Sequence, residues 1–266
     1  MTLNEAASER LVLADQGAPV LSVRGVSKTY ETRGGERTLA LESMSFDAHE
    51  GEFIALVGPS GCGKTTLLKM CAGLLQATTG EIDYKGTREP VPAGGFGMVF
   101  QSATLLPWRS ILSNTMLPAQ ILRLDKSKAR QRAADLLDLV GLGEAKSKIP
   151  GELSGGMQQR ASIARALLHD PPILFMDEPF GALDAITRQE MGAELQRIHL
   201  AQKKTVLFVT HSIQEAVLLS DRILVFSNRP GRLVADVAVD YPRPRTFEST
   251  LDADFRQLEA RIHAYL

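Results

Sequence analysis

Reactive and membrane-seeking side chains are scarce in this chain. It holds two cysteines, one tryptophan and 6% aromatic residues over 266 positions. The two thiols, Cys62 and Cys71, provide no disulfide framework and no cysteine metal cluster, and they suit a reducing compartment. Both read as packing residues rather than redox groups. No stretch of about 18 consecutive apolar residues occurs, so no helix is expected to span a bilayer, and any membrane role must pass through a partner. An excess of charge of either sign is also missing: 30 basic side chains face 31 acidic ones, for a net charge of -1. That balance gives no bulk attraction to nucleic acid or anionic lipid, and no nucleic-acid partner is expected. The opening MTLNEAASER places Glu5 and Glu9 where a secretion signal needs basic charge ahead of an apolar run, so a cytoplasmic location is expected.

The length allows one substantial α/β core with a smaller appended part. Residues 1–19 are polar, lack a clear period and end at Gly17, Ala18 and Pro19, which reads as a mobile tail. Short apolar runs at Val20–Val23, Leu39–Phe46 and Phe53–Val57, bounded by glycine or charge, predict strands. Further strands are predicted at Gly97–Gln101, Ile173–Asp177, Thr205–Thr210 and Arg222–Phe226. Helical stretches separate the last three, which argues for βαβ units and a largely parallel sheet. Helical spacing begins after Lys64, with Leu67, Leu68 and Cys71 on one face and Gly73 as the stop. Within Lys126–Val140, residues Ala129, Ala133, Leu136, Leu137 and Val140 share a face that Gly141 ends, predicting a helical insertion in the α/β core. Past Asp240, Pro242 and Pro244 lead to a last helix carrying Phe255, Leu258, Ile262 and Leu266, started by Asp254 with Gln257 as a capping box.

Strand Phe53–Val57 runs directly into Gly58, Pro59, Ser60, Gly61, Cys62, Gly63, Lys64 and Thr65, followed by Thr66 and the helix. Glycines at this spacing let backbone N–H groups turn inward around phosphate oxygens, and the helix N-terminus adds partial positive charge. Lys64 is placed to neutralise the outer phosphates, and Thr65 to offer its hydroxyl to Mg2+. Alone, this P-loop leaves kinases, GTPases and other ATPases open.

A second anion-binding surface follows. Leu153, Ser154, Gly155, Gly156, Met157, Gln158, Gln159 and Arg160 precede a helical run in which Ala161, Ala164 and Leu168 share a face. Ser154 can act as a plain N-cap. The glycines after it also expose backbone donors at a helix N-terminus, and one nucleotide does not need two such surfaces from one chain. Beyond them, the continuously apolar Ile173–Met176 carries Asp177 and Glu178 to the C-terminal end of a strand, where open α/β sheets place their ligands.

The Ser154 string, at its distance before Met176-Asp177-Glu178-Pro179, resembles the signature motif of ABC (ATP-binding cassette) ATPases. The resemblance implies an α/β fold: a RecA-like P-loop NTPase core with a mostly parallel sheet, an N-terminal antiparallel β part and a helical insertion subdomain. The ATPase domain would cover 20–240, with the subdomain at about 102–160, and 241–266 would form a C-terminal linker and helix. It also implies that two copies stack head to tail as a homodimer, with Ser154, Gly155 and Gly156 of one capping the ATP held by Gly58–Thr66 of the other.

By the same resemblance, Asp177 supports Mg2+ and Glu178 polarises the attacking water. Gln101 stands as the Q-loop glutamine that senses Mg2+ and that water, and His211 as the switch histidine on the γ-phosphate. Asp184, in Gly181-Ala182-Leu183-Asp184, lies in the loop that communicates between the two sites, although Gly181 stands where many members carry Ser. Tyr30 resembles the aromatic residue that stacks on adenine; a buried edge tyrosine is the other reading of it. Residues Leu105–Trp108, Glu178–Ala185 and Asn228–Leu233 resemble the nitrate/sulfonate/taurine import branch. That branch implies two permease subunits above the ATPase pair and a separate solute-binding protein, with the ATPase peripheral on the cytoplasmic face of the inner membrane. Trp108 is then either a permease contact or a core residue. An exporter ATPase, a soluble non-transport ABC ATPase and a non-catalytic nucleotide-binding scaffold are the competing readings, the last disfavoured by the presence of Glu178 and His211.

Overall fold

Leu21, Val23 and Val26 are fully buried along the first strand while the residues after them turn progressively to solvent. The computed structural model describes residues 17–31, 34–88, 91–92, 94–181 and 183–266. Most of the expected N-terminal tail and Ala182 lie outside them. In chain order the elements are β1 (Leu21–Glu31), β2 (Arg37–Ala48), β3 (Phe53–Val57), α1 (Lys64–Cys71), β4 (Thr79–Tyr84), β5 (Phe96–Val99), α2 (Ile111–Thr115), α3 (Leu117–Ile121), α4 (Lys126–Leu139), α5 (Gly155–Leu167), β6 (Ile173–Asp177), α6 (Ala185–Gln202), β7 (Thr205–Thr210), α7 (Ile213–Leu219), β8 (Arg222–Phe226), β9 (Leu233–Ala238) and α8 (Ala253–His263). They divide into two units, Met1–Pro90 with Val209–Leu266, and Val91–Phe208.

In the first unit, β1 lies between β2 and β4, antiparallel to both, with Val23 opposite Phe46 on one side and Ile82 on the other. A central position helps β1 run past the apolar Val20–Val23 into polar residues: both its edges are paired as far as Ser27, and β2 carries the ladder on to Glu31 without an apolar face. All five residues of β3 are buried, and β3 pairs in parallel with β8, to which β9 adds an antiparallel edge. Helix α7 packs on β3 and on α8. The last helix starts differently from the expectation. Its N-cap is Asp252, not Asp254, no side chain caps it, and the Asp252 carboxylate accepts the Tyr241 hydroxyl. Phe255 and Ile262 are buried as the spacing predicts, whereas Leu266 lies past the helix end and is exposed.

The second unit pairs β5 with β6 in parallel and packs α5 against β5, α2, α3 and α4. Helix α4 begins at Asp125, whose carboxylate accepts the Lys128 N–H at 2.7 Å, and it buries Ala129, Ala133, Leu136 and Leu137 as expected. Gly141, at φ 71, ends the helical path in the left-handed conformation that glycine adopts without strain. Strand β7 is buried throughout and falls at the division between the units. The fold is therefore α/β, with parallel pairing around the buried strands and an N-terminal antiparallel sheet.

Candidate functional site

In the first unit the chain leaves β3 at Gly58 under close confinement. A β-carbon there would lie 2.8 Å from the Phe226 Cβ and 2.9 Å from the Phe226 carbonyl oxygen. Gly61 and Gly63 take φ of 74 and 106, which side chains resist, so the glycine spacing is a conformational requirement. Gly63 is also the N-cap of α1, and the loop thus ends on the N–H groups of a helix start. Lys64, only 4% exposed, folds back over the loop: its Nζ donates to the carbonyl oxygens of Gly58 at 2.7 Å and Pro59 at 2.9 Å, with the Cys62 Sγ at 3.7 Å. Cys62 is buried beneath the loop, as a packing role requires, and Cys71 is buried too, its thiol pushed up to about 12 by burial.

Two neighbours wall the outside of this loop. Arg229 donates from Nε to the Gly61 carbonyl oxygen at 2.5 Å. Gly231 approaches so closely that a β-carbon on it would lie 1.9 Å from the Cys62 carbonyl oxygen, and its own N–H bonds the Ala40 carbonyl of β2 at 3.0 Å. The run Asn228–Leu233 stood in the sequence only as a family marker. Its Arg-Pro-Gly turn chemistry is visible there, but nothing in the spacing tells where the turn docks.

Tyr30 is 43% exposed, with its hydroxyl 3.3 Å from the Thr66 hydroxyl and the Lys28 ammonium 5.4 Å from the ring centre. The buried-edge reading of Tyr30 is thereby excluded, and a flat ring stands beside the first turn of α1. His211 follows β7 in an exposed position. Its flanks are fixed: the Thr210 hydroxyl donates to Glu215 Oε2 at 2.5 Å and accepts the Ser212 N–H at 3.0 Å, while Ser212 caps α7.

In the second unit, β6 delivers Asp177 and Glu178 at its C-terminal end from a fully buried apolar run. Glu178 sits at φ 45, a strained conformation for a non-glycine residue, and its carbonyl accepts the Gly181 N–H at 3.0 Å. A β-carbon on Gly181 would lie 3.0 Å from the Gln101 Nε2, so Gln101 rests on the turn that follows Glu178.

Ser154 caps α5, accepting the Met157 N–H at 3.3 Å, and both Ser154 and Gly155 are exposed. Gly156 is buried under Thr187 of α6. Asp184 caps α6 and accepts both the N–H and the hydroxyl of Thr187, at 3.0 and 2.7 Å. Those hydrogen bonds hold the Asp184 carboxyl below its ordinary range. Thr187 thus joins the Asp184 turn to Gly156, a contact the sequence does not announce. Its only signal there was the three-residue interval from a capping aspartate. Trp108 is 74% exposed, so it is not a core residue.

Among the described residues no three His, Cys, Asp or Glu side chains converge as a metal cage. The donors assigned to Mg2+ are a hydroxyl, an amide and a carboxylate, from Thr65, Gln101 and Asp177. Such a sparse set of hard oxygen donors fits an ion that keeps several waters and takes other ligands from phosphate.

The ABC transporter family profile matches residues 41–181. An uncharacterized ABC transporter ATP-binding protein of Methanocaldococcus jannaschii, MJ0412, is 44% identical over 89% of this chain and 88% of its own length. The taurine import ATP-binding protein TauB of Rhizobium johnstonii is 43% identical over 93% of this chain and 96% of its own. Among solved structures, the dimeric MJ0796, a bacterial ABC transporter cassette, is 32% identical with a TM-score of 0.74, over 84% of this chain and 100% of that one. With the profile covering more than half of the sequence and relatives above 40% identity along nearly all of it, the chain belongs to the ABC transporter family.

Proposed function

We propose that this chain is the ATP-hydrolysing subunit of an ABC importer, active as a homodimer in which Ser154–Gly156 of each copy completes the Gly58–Thr66 site of the other. The observation that carries the reading is the presence, in one chain, of two helix starts built for anions: the glycine loop opening α1 and the Ser154 cap opening α5. Each is one half of a site.

Hydrolysis of ATP is chiefly positioning and charge stabilisation. The loop amides cradle the phosphates, and Lys64 exchanges the Gly58 and Pro59 carbonyls for phosphate oxygens. Tyr30 offers its face to adenine, Glu178 orients the attacking water, and His211 and Gln101 contact the outer phosphate and that water. The Ser154 hydroxyl and the amides of Gly155 and Gly156 from the second copy close on the γ-phosphate, with Asp184 beside them. Thr65, Gln101 and Asp177 would hold Mg2+, which would neutralise charge on the phosphate oxygens.

Among the described residues no helix is long and apolar enough to cross a membrane. In this reading the dimer works beneath two permease subunits, peripheral on the cytoplasmic face of the inner membrane, with a solute-binding protein acting through the permease. The solute is a small compound such as sulfonate, taurine or nitrate. Reconstitution of the chain with its permease in vesicles tests this. ATP-driven uptake, with hydrolysis stimulated by the solute-loaded binding protein, is expected. Outward transport, or ATPase activity indifferent to the permease, would overturn the importer reading.

A further inference from the structure

Strands β3 and β8 are parallel neighbours, with Val57 opposite Val225, so the segments that leave their C-terminal ends emerge side by side. One is the glycine loop Gly58–Thr65; the other is the turn Asn228–Leu233. Backbone bonds fix the turn in place. The Gly231 N–H donates to the Ala40 carbonyl at 3.0 Å and the Gly231 carbonyl accepts the Glu42 N–H at 2.8 Å, which ties the turn to β2. Ser227 closes it: its N–H donates to the Arg232 carbonyl at 3.0 Å, and its hydroxyl accepts the Arg232 N–H at 3.1 Å and lies 2.8 Å from the Asn228 carbonyl oxygen.

From this fixed turn Arg229 reaches back over Gly61. Its Nε donates to the Gly61 carbonyl oxygen at 2.5 Å, and its Nη2 lies 2.9 Å from the place a β-carbon on Gly61 would take. Arg229 is itself exposed, so the contact buries little and adds little to the stability of the fold. What it does fix is the orientation of one peptide group. The Gly61–Cys62 peptide is trans, so its C=O and N–H point to opposite sides. With the carbonyl turned out to the guanidinium, the Cys62 N–H turns in. There it meets the Pro59 carbonyl at 3.3 Å, the same oxygen that accepts the Lys64 ammonium at 2.9 Å. Gly61 and Gly63, at φ 74 and 106, lie on either side of Cys62, and glycine leaves the backbone easy to rotate. A restraint from outside therefore matters to which way this amide faces. A charged donor on the carbonyl also polarises the peptide, which strengthens the N–H on its inner side.

We propose that Arg229 is a positioning residue for ATP binding: it holds the Gly61–Cys62 peptide with its N–H facing inward, so that the loop presents this donor before a nucleotide arrives. An incoming phosphate oxygen replaces the Pro59 carbonyl on both the Cys62 N–H and Lys64, while the outer bond to Arg229 persists. The loop thus loses its conformational freedom on folding rather than on binding, which favours affinity. The inference rests on the reading of Gly58–Thr66 as the phosphate-binding loop.

The test compares the full-length chain with Arg229→Met, Arg229→Lys and Arg232→Met, by titration with a fluorescent ATP analogue and by steady-state hydrolysis. Arg229→Met should weaken binding and raise KM by about fivefold, the scale of a charge-assisted hydrogen bond at an exposed site. Its kcat should stay within about twofold of the wild type, because saturating ATP itself holds the loop. Arg229→Lys keeps a charged donor and should recover most of the affinity. Arg232→Met removes the same charge from the same turn and should leave binding unchanged, which separates a local bond from long-range attraction of the nucleotide. Hydrogen exchange over residues 58–64, followed by mass spectrometry, should be faster in nucleotide-free Arg229→Met than in the wild type and equal in the two with saturating ATP. Arg229→Met protein with the wild-type KM and exchange rate, or equal weakening in Arg232→Met, would overturn the positioning role. Tight ATP binding by Lys64→Ala would instead overturn the phosphate-loop reading, and the inference with it.

Discussion

Thr187 stands so close over Gly156 that a β-carbon built on the glycine would lie 2.4 Å from the threonine methyl. Because Asp184 holds Thr187 through two hydrogen bonds, the methyl cannot swing aside without loosening the start of α6. Gly156→Ala should therefore misplace the signature amides, lowering steady-state ATP hydrolysis by ~100-fold, as loss of transition-state donors does. ATP affinity at the chain's own phosphate loop should be nearly unchanged. Parallel hydrolysis assays and fluorescent-nucleotide titrations check both halves of this expectation.

Glu178→Gln preserves the shape of the side chain and removes its charge. Turnover should fall by about 100-fold or more, the scale of a lost general base, while ATP still binds. The dimer should then accumulate on size-exclusion chromatography with ATP. Normal hydrolysis by this variant would remove Glu178 from the water-orienting role.

The Trp108 indole projects from a segment whose shape does not depend on it. Asn114 holds that segment, accepting the Leu106 N–H at 2.7 Å and donating to the carbonyls of Leu106, Arg109 and Ser110. Trp108→Ala should accordingly leave the basal ATPase of the isolated chain intact and cut reconstituted uptake by at least ~10-fold, the effect of losing an interface anchor. Unaltered uptake would exclude Trp108 as a permease contact.

His169 should make the folded chain less stable in mild acid. One ring nitrogen, Nε2, meets the Phe96 carbonyl oxygen at 2.9 Å, whereas Nδ1 is buried with no hydrogen-bond partner among the described residues. Burial is the main cause of its lowered pKa, with the Arg132 charge acting the same way. At pH above the unfolded histidine value of about 6.5, both states are neutral and nothing is lost. As pH falls through that value the unfolded chain takes up a proton that the folded chain resists, so stability declines. The drop in thermal midpoint between about pH 7.5 and 5.5 should shrink in His169→Gln, whose amide still donates to Phe96. An equal drop in both proteins, followed by circular dichroism, would assign the acid sensitivity elsewhere.

The parts of the site that were legible in the sequence are those whose chemistry is local. Gly58–Thr65 can be read because turn geometry and helix start follow from consecutive residues. The Ser154 cap and the Asp177–Glu178 strand end follow equally from short-range rules, as does the face of α4. Contacts between distant segments left no comparable trace. Arg165 looks like an ordinary charge on a helix until its two backbone carbonyl acceptors and the Thr104 hydroxyl are seen, and Thr187 like an ordinary helical residue until Gly156 is found beneath it. Strands β4 and β9 escaped for a related reason: their Thr79–Tyr84 and Leu233–Ala238 runs are only half buried, and partner strands rather than apolar pattern hold them.

Gly231 leaves no room for any side chain against the Cys62 carbonyl, and it is reached only after most of the chain has been traversed. A nucleotide motif written as consecutive letters is thus a composite object in space, part of it encoded far downstream of the motif itself. Hybrid subunits assembled from two relatives will feel this. A crossover anywhere between Cys62 and Gly231 separates surfaces shaped for one another, so functional chimeras should be those in which both segments descend from the same parent.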